Sequence, residues 1–263
     1  MPDLSLHSSL GKPFIELQSV DSTNNYALTL VHAGLAQPGT AVFAHAQTAG
    51  KGQRGRSWYS EPGSSLSLSL ILDPRPLDPT QQFGLSACMA VSACDFLNNY
   101  TNGGAKIKWP NDLYWQDRKA GGILIESVIG SGQSLSGNDT GAEWKWAVAG
   151  IGLNINQPMF GNSLLNPVSL TQITGRRFQP VELAHQLIPI IESNYVKLKD
   201  EGFDELFENL NARLYKLDQP ARLKKGNIQF EGIIRGVTRA GRLLVEHGTL
   251  EEYSVGEISF VFG

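Results

Sequence analysis

Leu66, Leu68, Leu70 and Leu72 alternate with Ser67, Ser69 and Ile71. That is the period of two by which a β-strand sends successive side chains to opposite faces. One face is apolar and the other mostly polar. Thr40 to Ala46, Lys106 to Trp109 and Trp144 to Ile155 predict further strands, and Pro110 stops the second of them. Leu113 to Trp115 and Gly122 to Ile129 predict a hairpin across Gln116, Asp117 and Arg118, and the small polar residues 130–142 predict a flexible turn. Helices are predicted at about 23–35, with Ser22 or Thr23 as cap and Tyr26, Leu30 and Val31 on one face, and at about 79–100.

From Pro180 the period lengthens. Val181, Ala184, Leu187, Ile188, Ile191, Tyr195 and Leu198 recur at helical spacing, with a kink expected at Pro189, which lacks an N–H. A further helix is predicted at about 203–214. Beyond Asp218 only short strands remain, punctuated by Gly226, Gly236, Gly241, Gly248 and Gly256, the pattern of a small β-barrel. The expected class is α+β: a mixed or antiparallel sheet with helices over residues 1–216, then a small barrel over 217–263.

Composition narrows the picture. Of 263 residues, 41% are hydrophobic, enough for a sizeable core and against intrinsic disorder. The net charge of -3 disfavours a globally basic nucleic-acid binder. Neither a basic leader followed by an apolar stretch nor a run of about 20 apolar residues is present, so a cytoplasmic protein without a membrane span is expected. Cys88 and Cys94 form no metal pair and are expected to be small buried hydrophobes.

Four segments carry candidate chemistry. Gly50-Lys51-Gly52-Gln53-Arg54-Gly55-Arg56-Ser57-Trp58 combines glycines, which let backbone N–H groups approach a ligand, with three cations and no acid. Phosphate recognition needs both, although a solvated basic loop has the same composition. The loop is not a Walker A motif. Lys108-Trp109-Pro110-Asn111-Asp112 puts two polar groups on a rigid turn, and Lys119 lies across the hairpin, just before a flexible Gly121-Gly122. That places an ammonium near the Asp112 carboxylate, in a working pair or in an ordinary hairpin ion pair. Asp21-Ser22-Thr23-Asn24 reads equally as a helix cap or as a polar ligand contact. Gly150-Ile151-Gly152-Leu153-Asn154 is half of a dinucleotide fingerprint, but it lies in a strand and lacks the third glycine.

Together and in this order, the segments resemble the catalytic core of the biotin protein ligases, over about residues 14–261. That family carries Asp-Ser-Thr-Asn, a Gln-x-x-Gly-x-Gly-x-x-Gly-Arg-x-Trp loop, Lys-Trp-Pro-Asn-Asp and Lys-x-x-Gly-Ile-Leu, and all four stand here, with Gly256-Glu257-Ile258-Ser259 near the end. The resemblance implies a class II synthetase-like ligase core followed by an SH3-like barrel. It implies synthesis of biotinyl-5′-AMP from biotin and MgATP, then transfer of biotin to a lysine of a biotin carboxyl carrier domain. Biotin contacts are expected from Ser22, Thr23, Asn24, Gln47, Gly50, Lys51, Trp58, Lys119 and Gly122. Nucleotide contacts are expected from Gly52, Gln53, Arg54, Arg56, Asn111, Lys119 and Asn154. Lys119, Asp112 and Arg54 are the expected catalytic groups. Mg²⁺ is expected through phosphates and water, with no dedicated protein ligands. Phe160 is the aromatic candidate for covering adenine.

Only about twenty residues precede Asp21, which favours the monofunctional enzyme over a DNA-binding regulator. No DNA or membrane partner is expected, and a homodimer is compatible with the resemblance. The alternatives are a lipoate or octanoate ligase on a related core and a non-enzymatic biotin-sensing module. Ser22, Thr23 and Gln47 favour a ureido group over a plain acyl tail, and the presence of Lys119 and the basic loop favours an enzyme.

Many relatives place Arg where this chain has Gln53, and Val261 stands where some carry a basic nucleotide contact. A charge-assisted bond to phosphate is about twice as strong as a neutral one. Gln53 should therefore let the adenylate leave faster, because affinity differences between related complexes lie mostly in dissociation. Loading the protein with labelled biotin and ATP, without carrier, should give a slower off-rate for Gln53→Arg than for the parent. An unchanged off-rate would pass the phosphate contact to Arg54 or Lys51.

Overall fold

A computed structural model describes residues 9–131, 142–161 and 166–262. The chain runs through β1 (Phe14–Leu17), α1 (Thr23–His32), β2 (Ala41–Ala44), β3 (Ser65–Leu72), α2 (Gln82–Thr101), β4 (Ala105–Lys108), β5 (Asp112–Trp115), β6 (Arg118–Ser131) and β7 (Ala142–Asn154). It continues through α3 (Leu170–Thr174), α4 (Pro180–Asp200), α5 (Asp204–Ala212), β8 (Pro220–Lys225), β9 (Ile228–Val237), β10 (Leu243–His247), β11 (Thr249–Tyr253) and β12 (Ser259–Phe260). The expected turn at 130–142 falls largely on residues outside those described.

The first seven strands form one mixed sheet in the order β1-β2-β3-β7-β6-β5-β4, with β1 and β2 parallel and every other pair antiparallel. The last five form a separate antiparallel sheet in the order β11-β10-β9-β8-β12. The leucines of β3 and Ala147, Ala149, Ile151 and Leu153 of β7 turn to one side, where they share the main core with α2 and α4. On the other side Ala27 and Val31 of α1 pack against Val42, Ile71 and Val148.

The second face of β3 is polar, as its sequence predicts, and it is also enclosed. Ser65, Ser67 and Ser69 are buried, with Ser69 fully enclosed. The face is polar because of what it meets, not because it meets bulk water. Gly121 and Gly122 differ from expectation: both are paired strand residues of β6, and a Cβ at Gly121 would lie 2.6 Å from the Gly152 carbonyl oxygen. Close packing between strands, rather than flexibility, explains that glycine. The α4 helix continues past Pro189 to Asp200. Ser22 holds the N-cap position of α1 without a side-chain capping bond, leaving its hydroxyl to other work.

The edge strand β1 and the five-residue α3 were not legible from periodicity. A sequence signal for α3 did exist in its capping box: the Ser169 hydroxyl accepts from the Gln172 N–H, and the Gln172 side chain accepts from the Ser169 N–H. Both cysteines are buried as expected, and burial pushes the Cys94 thiol up to about 12. No helix among the described residues is long and apolar enough to cross a membrane.

Trp109 ties the two sheets together. It follows β4 of the large sheet, yet its indole is buried in the second core with Leu223, Ile234, Leu243 and Val245. Its Nε1–H donates to the Gly241 carbonyl at 2.9 Å. Trp109→Phe keeps most of the ring and strands that buried carbonyl, so it should cost about 1–3 kcal/mol of unfolding free energy. Chemical denaturation of both proteins measures the difference, and an unchanged midpoint would mean the bond contributes nothing net.

Candidate active site

Register across five strands builds the site. Ser67 of β3 pairs with Gly152 of β7, Gly152 with Gly122 of β6, Gly122 with Asp112 of β5, and Asp112 with Lys108 of β4. Directly paired residues share a face, so these five form one row across the sheet. Its middle is glycine because a larger residue has no room: a Cβ at Gly152 would meet the Trp58 indole at 2.8 Å. Gly150, two residues back, is likewise covered by the Asn24 amide. Trp58 therefore lies directly on the sheet.

Lys119 reaches this face through a bulge. Leu113 pairs with Gly121, but Tyr114 pairs with Lys119, so Ala120 is an extra residue in β6. Strict alternation would turn Lys119 and Gly122 to opposite faces. The inserted Ala120 drops into the main core and brings Lys119 round to the Asp112 side. Its Nζ lies 2.6 Å from Asp112 Oδ1 and 6.0 Å from the Trp58 ring centroid.

The far end of the row is a polar network. The Gln47 side-chain carbonyl accepts from the Thr23 N–H at 2.8 Å and from the Thr23 hydroxyl at 3.2 Å, and Gln47 Nε2 donates to Ser67 at 3.3 Å. The Ser69 hydroxyl lies 2.8 Å from the Thr23 hydroxyl and 2.6 Å from Asn24 Oδ1. Asn24 Nδ2 donates to Glu126 at 2.8 Å, and Lys51 Nζ approaches the other oxygen of that carboxylate at 3.4 Å. Trp58 Nε1 and Ser65 Oγ are buried without a hydrogen-bond partner among the described residues. Buried polar atoms are nearly always satisfied. Trp144 Nε1 is a third unpartnered atom, enclosed in the main core; of the three, those of Trp58 and Ser65 belong to the site side of the sheet.

The basic loop arches over this face. Trp58 N–H donates to the Gly50 carbonyl and Gly52 N–H to the Arg56 carbonyl, closing the loop on itself. A Cβ at Gly50 would collide with the Trp58 carbonyl. Gln53–Gly55 make one tight helical turn with Arg54 in the left-handed region at φ 59°. The Arg54 guanidinium fills the space above Gly256, on the segment leading into β12, while Lys119 and Asp112 contact each other.

Both expected asparagines have a scaffolding task. Asn111 Nδ2 donates to the Ile123 carbonyl at 2.7 Å, and Asn154 Nδ2 lies 3.2 Å from the carbonyls of Lys119 and Val168. Each holds the backbone beside the Asp112–Lys119 pair. Phe160 is half-buried at the edge of the described segment 142–161.

Sequence reasoning missed Ser65, Ser67, Ser69, Glu126 and Lys108. The serines carried a signal, since regular Leu-Ser alternation opposite Gly150 and Gly152 already marks a floor of small residues. Glu126 carried none, because its partner Asn24 lies 102 residues away. Lys108 Nζ lies 3.4 Å from Asp112 Oδ2 and within 5.0–5.9 Å of the Tyr114, Phe260 and Phe262 ring centroids. Burial pushes its pKa down against the opposing pull of Asp112, and the nearby Lys119 and Arg56 charges push the same way as burial.

Residues 16–137 match the Biotin/lipoate A/B protein ligase family, and residues 216–261 match the Biotin protein ligase C terminal domain. The chain is 34% identical over 239 residues to a biotin–[acetyl-CoA-carboxylase] ligase of Paracoccus denitrificans, covering 87% of this chain and 92% of that protein. It is 31% identical over 245 residues to the bifunctional ligase/repressor BirA of Escherichia coli, covering 92% of this chain and 72% of BirA. Among solved structures, the biotin protein ligase from Aquifex aeolicus in complex with biotin and ATP superposes with a TM-score of 0.76 at 26% identity, over 95% of this chain and 99% of that one. On this agreement of sequence, fold and site geometry, the chain belongs to the biotin protein ligase family.

Proposed function

We infer that this protein is an ATP-dependent biotin–protein ligase. It joins the biotin carboxylate to AMP and then passes the biotinyl group to a lysine amine of a biotin carboxyl carrier domain. The observation that carries the reading is the Asp112–Lys119 pair on the same sheet face as a buried hydroxyl and amide cluster, with the Trp58 ring between them. The cluster suits a neutral ureido group, which both donates and accepts. The indole suits an aliphatic chain, and the ammonium suits a carboxylate.

In the first step a biotin carboxylate oxygen attacks the α-phosphorus and pyrophosphate leaves. Two anions must meet, so fixed positive charge lowers the barrier. Lys119 supplies it at the carboxylate and the α-phosphate, and Lys51, Arg54 and Arg56 bring three further charges from the loop. In the second step the neutral carrier amine attacks the acyl carbon, the acyl–phosphate bond breaks and AMP leaves, and the proton lost by the nitrogen passes to solvent water. Asp112 orients that amine. The loop 50–57 closes over the mixed anhydride and keeps water from it. Mg²⁺ enters with the triphosphate, held by phosphate oxygens and water, as its preference for oxygen ligands and retained waters favours.

The polar end also separates biotin from lipoate, whose ring would leave these buried groups unpaired. Incubation with ATP, Mg²⁺ and either acid, followed by mass spectrometry of the acyl-AMP, should give biotinyl-AMP in large excess. Predominant lipoyl-AMP would overturn the substrate, and no adenylate with either acid would overturn the activity. Lys119→Ala should slow adenylate formation by about 10²-fold or more, the usual cost of losing a preorganised charge contact. Adenylation at the parent rate would remove Lys119 from the chemistry.

A further inference from the structure

Asp112 stands between two ammoniums, and the reading above uses only one. Lys119 takes Oδ1 at 2.6 Å, and Lys108 lies 3.4 Å from Oδ2. The two lysines differ in setting. The Lys119 side chain is 31% exposed and opens onto the face under Trp58; that of Lys108 is 12% exposed. Lys108 is enclosed by Tyr114 of β5 and by Phe260 and Phe262 at the end of the chain. Those rings also hold one another: Tyr114 stacks on Phe262 at 5.8 Å, Tyr215 packs on Tyr114 at 5.2 Å, and Phe260 lies 5.9 Å from Tyr215. The aromatic cage thus spans both sheets.

A buried ammonium costs free energy unless it is paired, and ring faces with one carboxylate oxygen provide that pairing. The cost is borne at the end of the row that forms the site floor. If Lys108 served packing alone, a Met would fill the same space without the charge.

We propose that Lys108 is a positioning residue for the ligase reaction: clamped by Tyr114, Phe260 and Phe262, it holds one oxygen of Asp112 so that the other is presented to Lys119 in a fixed direction. Without it, the Asp112 carboxylate turns and engages Lys119 with both oxygens, and the Lys119 ammonium is drawn away from the reacting carboxylate and phosphate. Substrate contacts made by the loop and by the polar end stay in place. Because the clamp comes partly from the last strand, the geometry of the Asp112–Lys119 pair also depends on the small sheet. This inference rests on the roles given above to Lys119 and Asp112.

The test is first-turnover adenylation by the full chain, read as the burst of pyrophosphate with biotin and MgATP before adenylate release, with its saturating rate as kcat and its half-saturation as KM, for the parent, Lys108→Met, Lys108→Arg, Phe260→Leu and Lys119→Ala. Lys108→Met should lower kcat about 10- to 100-fold, the scale of losing one preorganising contact, with KM for biotin and for ATP within about twofold of the parent. Lys108→Arg should recover much of the loss, since a guanidinium also stacks on rings and pairs with carboxylate. Phe260→Leu should lower kcat about threefold or more, and combined with Lys108→Met it should add little, as coupled residues do. Parental kcat in Lys108→Met, a loss confined to KM, or no recovery with Arg would overturn the proposal. If Lys108→Met fails to fold, Phe260→Leu decides: a lower kcat at unchanged KM supports the clamp, and an unchanged kcat overturns it. Lys119→Ala separates the two readings. An active Lys119→Ala sinks the assignment of the site itself, whereas an inactive Lys119→Ala beside a fully active Lys108→Met sinks the positioning role alone.

Discussion

Strand register is the constraint on which the rest of this structure depends. Ser67, Gly152, Gly122, Asp112 and Lys108 face the same way only because four antiparallel ladders keep their pairing. A slip of one residue in any of them would exchange a site residue for a core residue, because side chains alternate with a period of two. The leucines of β3 and the alanines of β7 oppose such a slip, since it would turn them away from α2 and α4. The hydrophobic core therefore holds the chemistry in place without touching it. The register breaks twice, between Val128 and Ile129 far along β6 and at the Ala120 bulge, which falls where Lys119 changes face.

On that floor, polarity is buried and largely satisfied. Thr23, Gln47, Ser67, Ser69, Asn24 and Glu126 form a connected network drawn from α1, β3, β6 and the chain before the loop. Such a network rigidifies a site when complete and destabilises it when partly filled. Here most members are satisfied by each other, which presets their directions before a ligand arrives. Preorganised dipoles need no reorientation during the reaction. Trp58 Nε1 and Ser65 Oγ are buried polar atoms without a partner among the described residues, as is Trp144 Nε1 in the main core.

Two features join the small sheet to this site from different directions. The Trp109 indole sits in the second core, one turn before Asn111 and Asp112, and the Arg54 guanidinium from the loop covers Gly256. The Asn-Asp turn is thereby held from below by the small sheet, and the tip of the basic loop rests on the same sheet. Large hydrophobic anchors are costly to remove, so the orientation of the turn is coupled to the stability of the second core. The C-terminal strands thus help set the surroundings of the Asp112–Lys119 pair although both residues lie in the large sheet.

Much of this protein was legible in its residues. Period-two and period-3.6 patterns placed most strands and the longer helices, and the hairpin at Gln116 and Asp117 brought Lys119 to Asp112 as its length required. Segment order alone pointed to the family. Local spacing could not show that the serine face of β3 is enclosed, because what encloses it is α1 and a loop remote in sequence. Nor could it show Glu126 beside Asn24, or Arg54 over Gly256, since those pairs meet only after the sheets assemble. Lys108 is the sharpest case: the sequence marks it as the head of the Lys-Trp-Pro-Asn-Asp block but gives it no task apart from its neighbours. Only packing of the last strand against β4 and β5 encloses it in aromatic rings beside a carboxylate. Periodicity and motif order are properties of neighbours along the chain, whereas burial and charge pairing are decided by which surfaces meet in space.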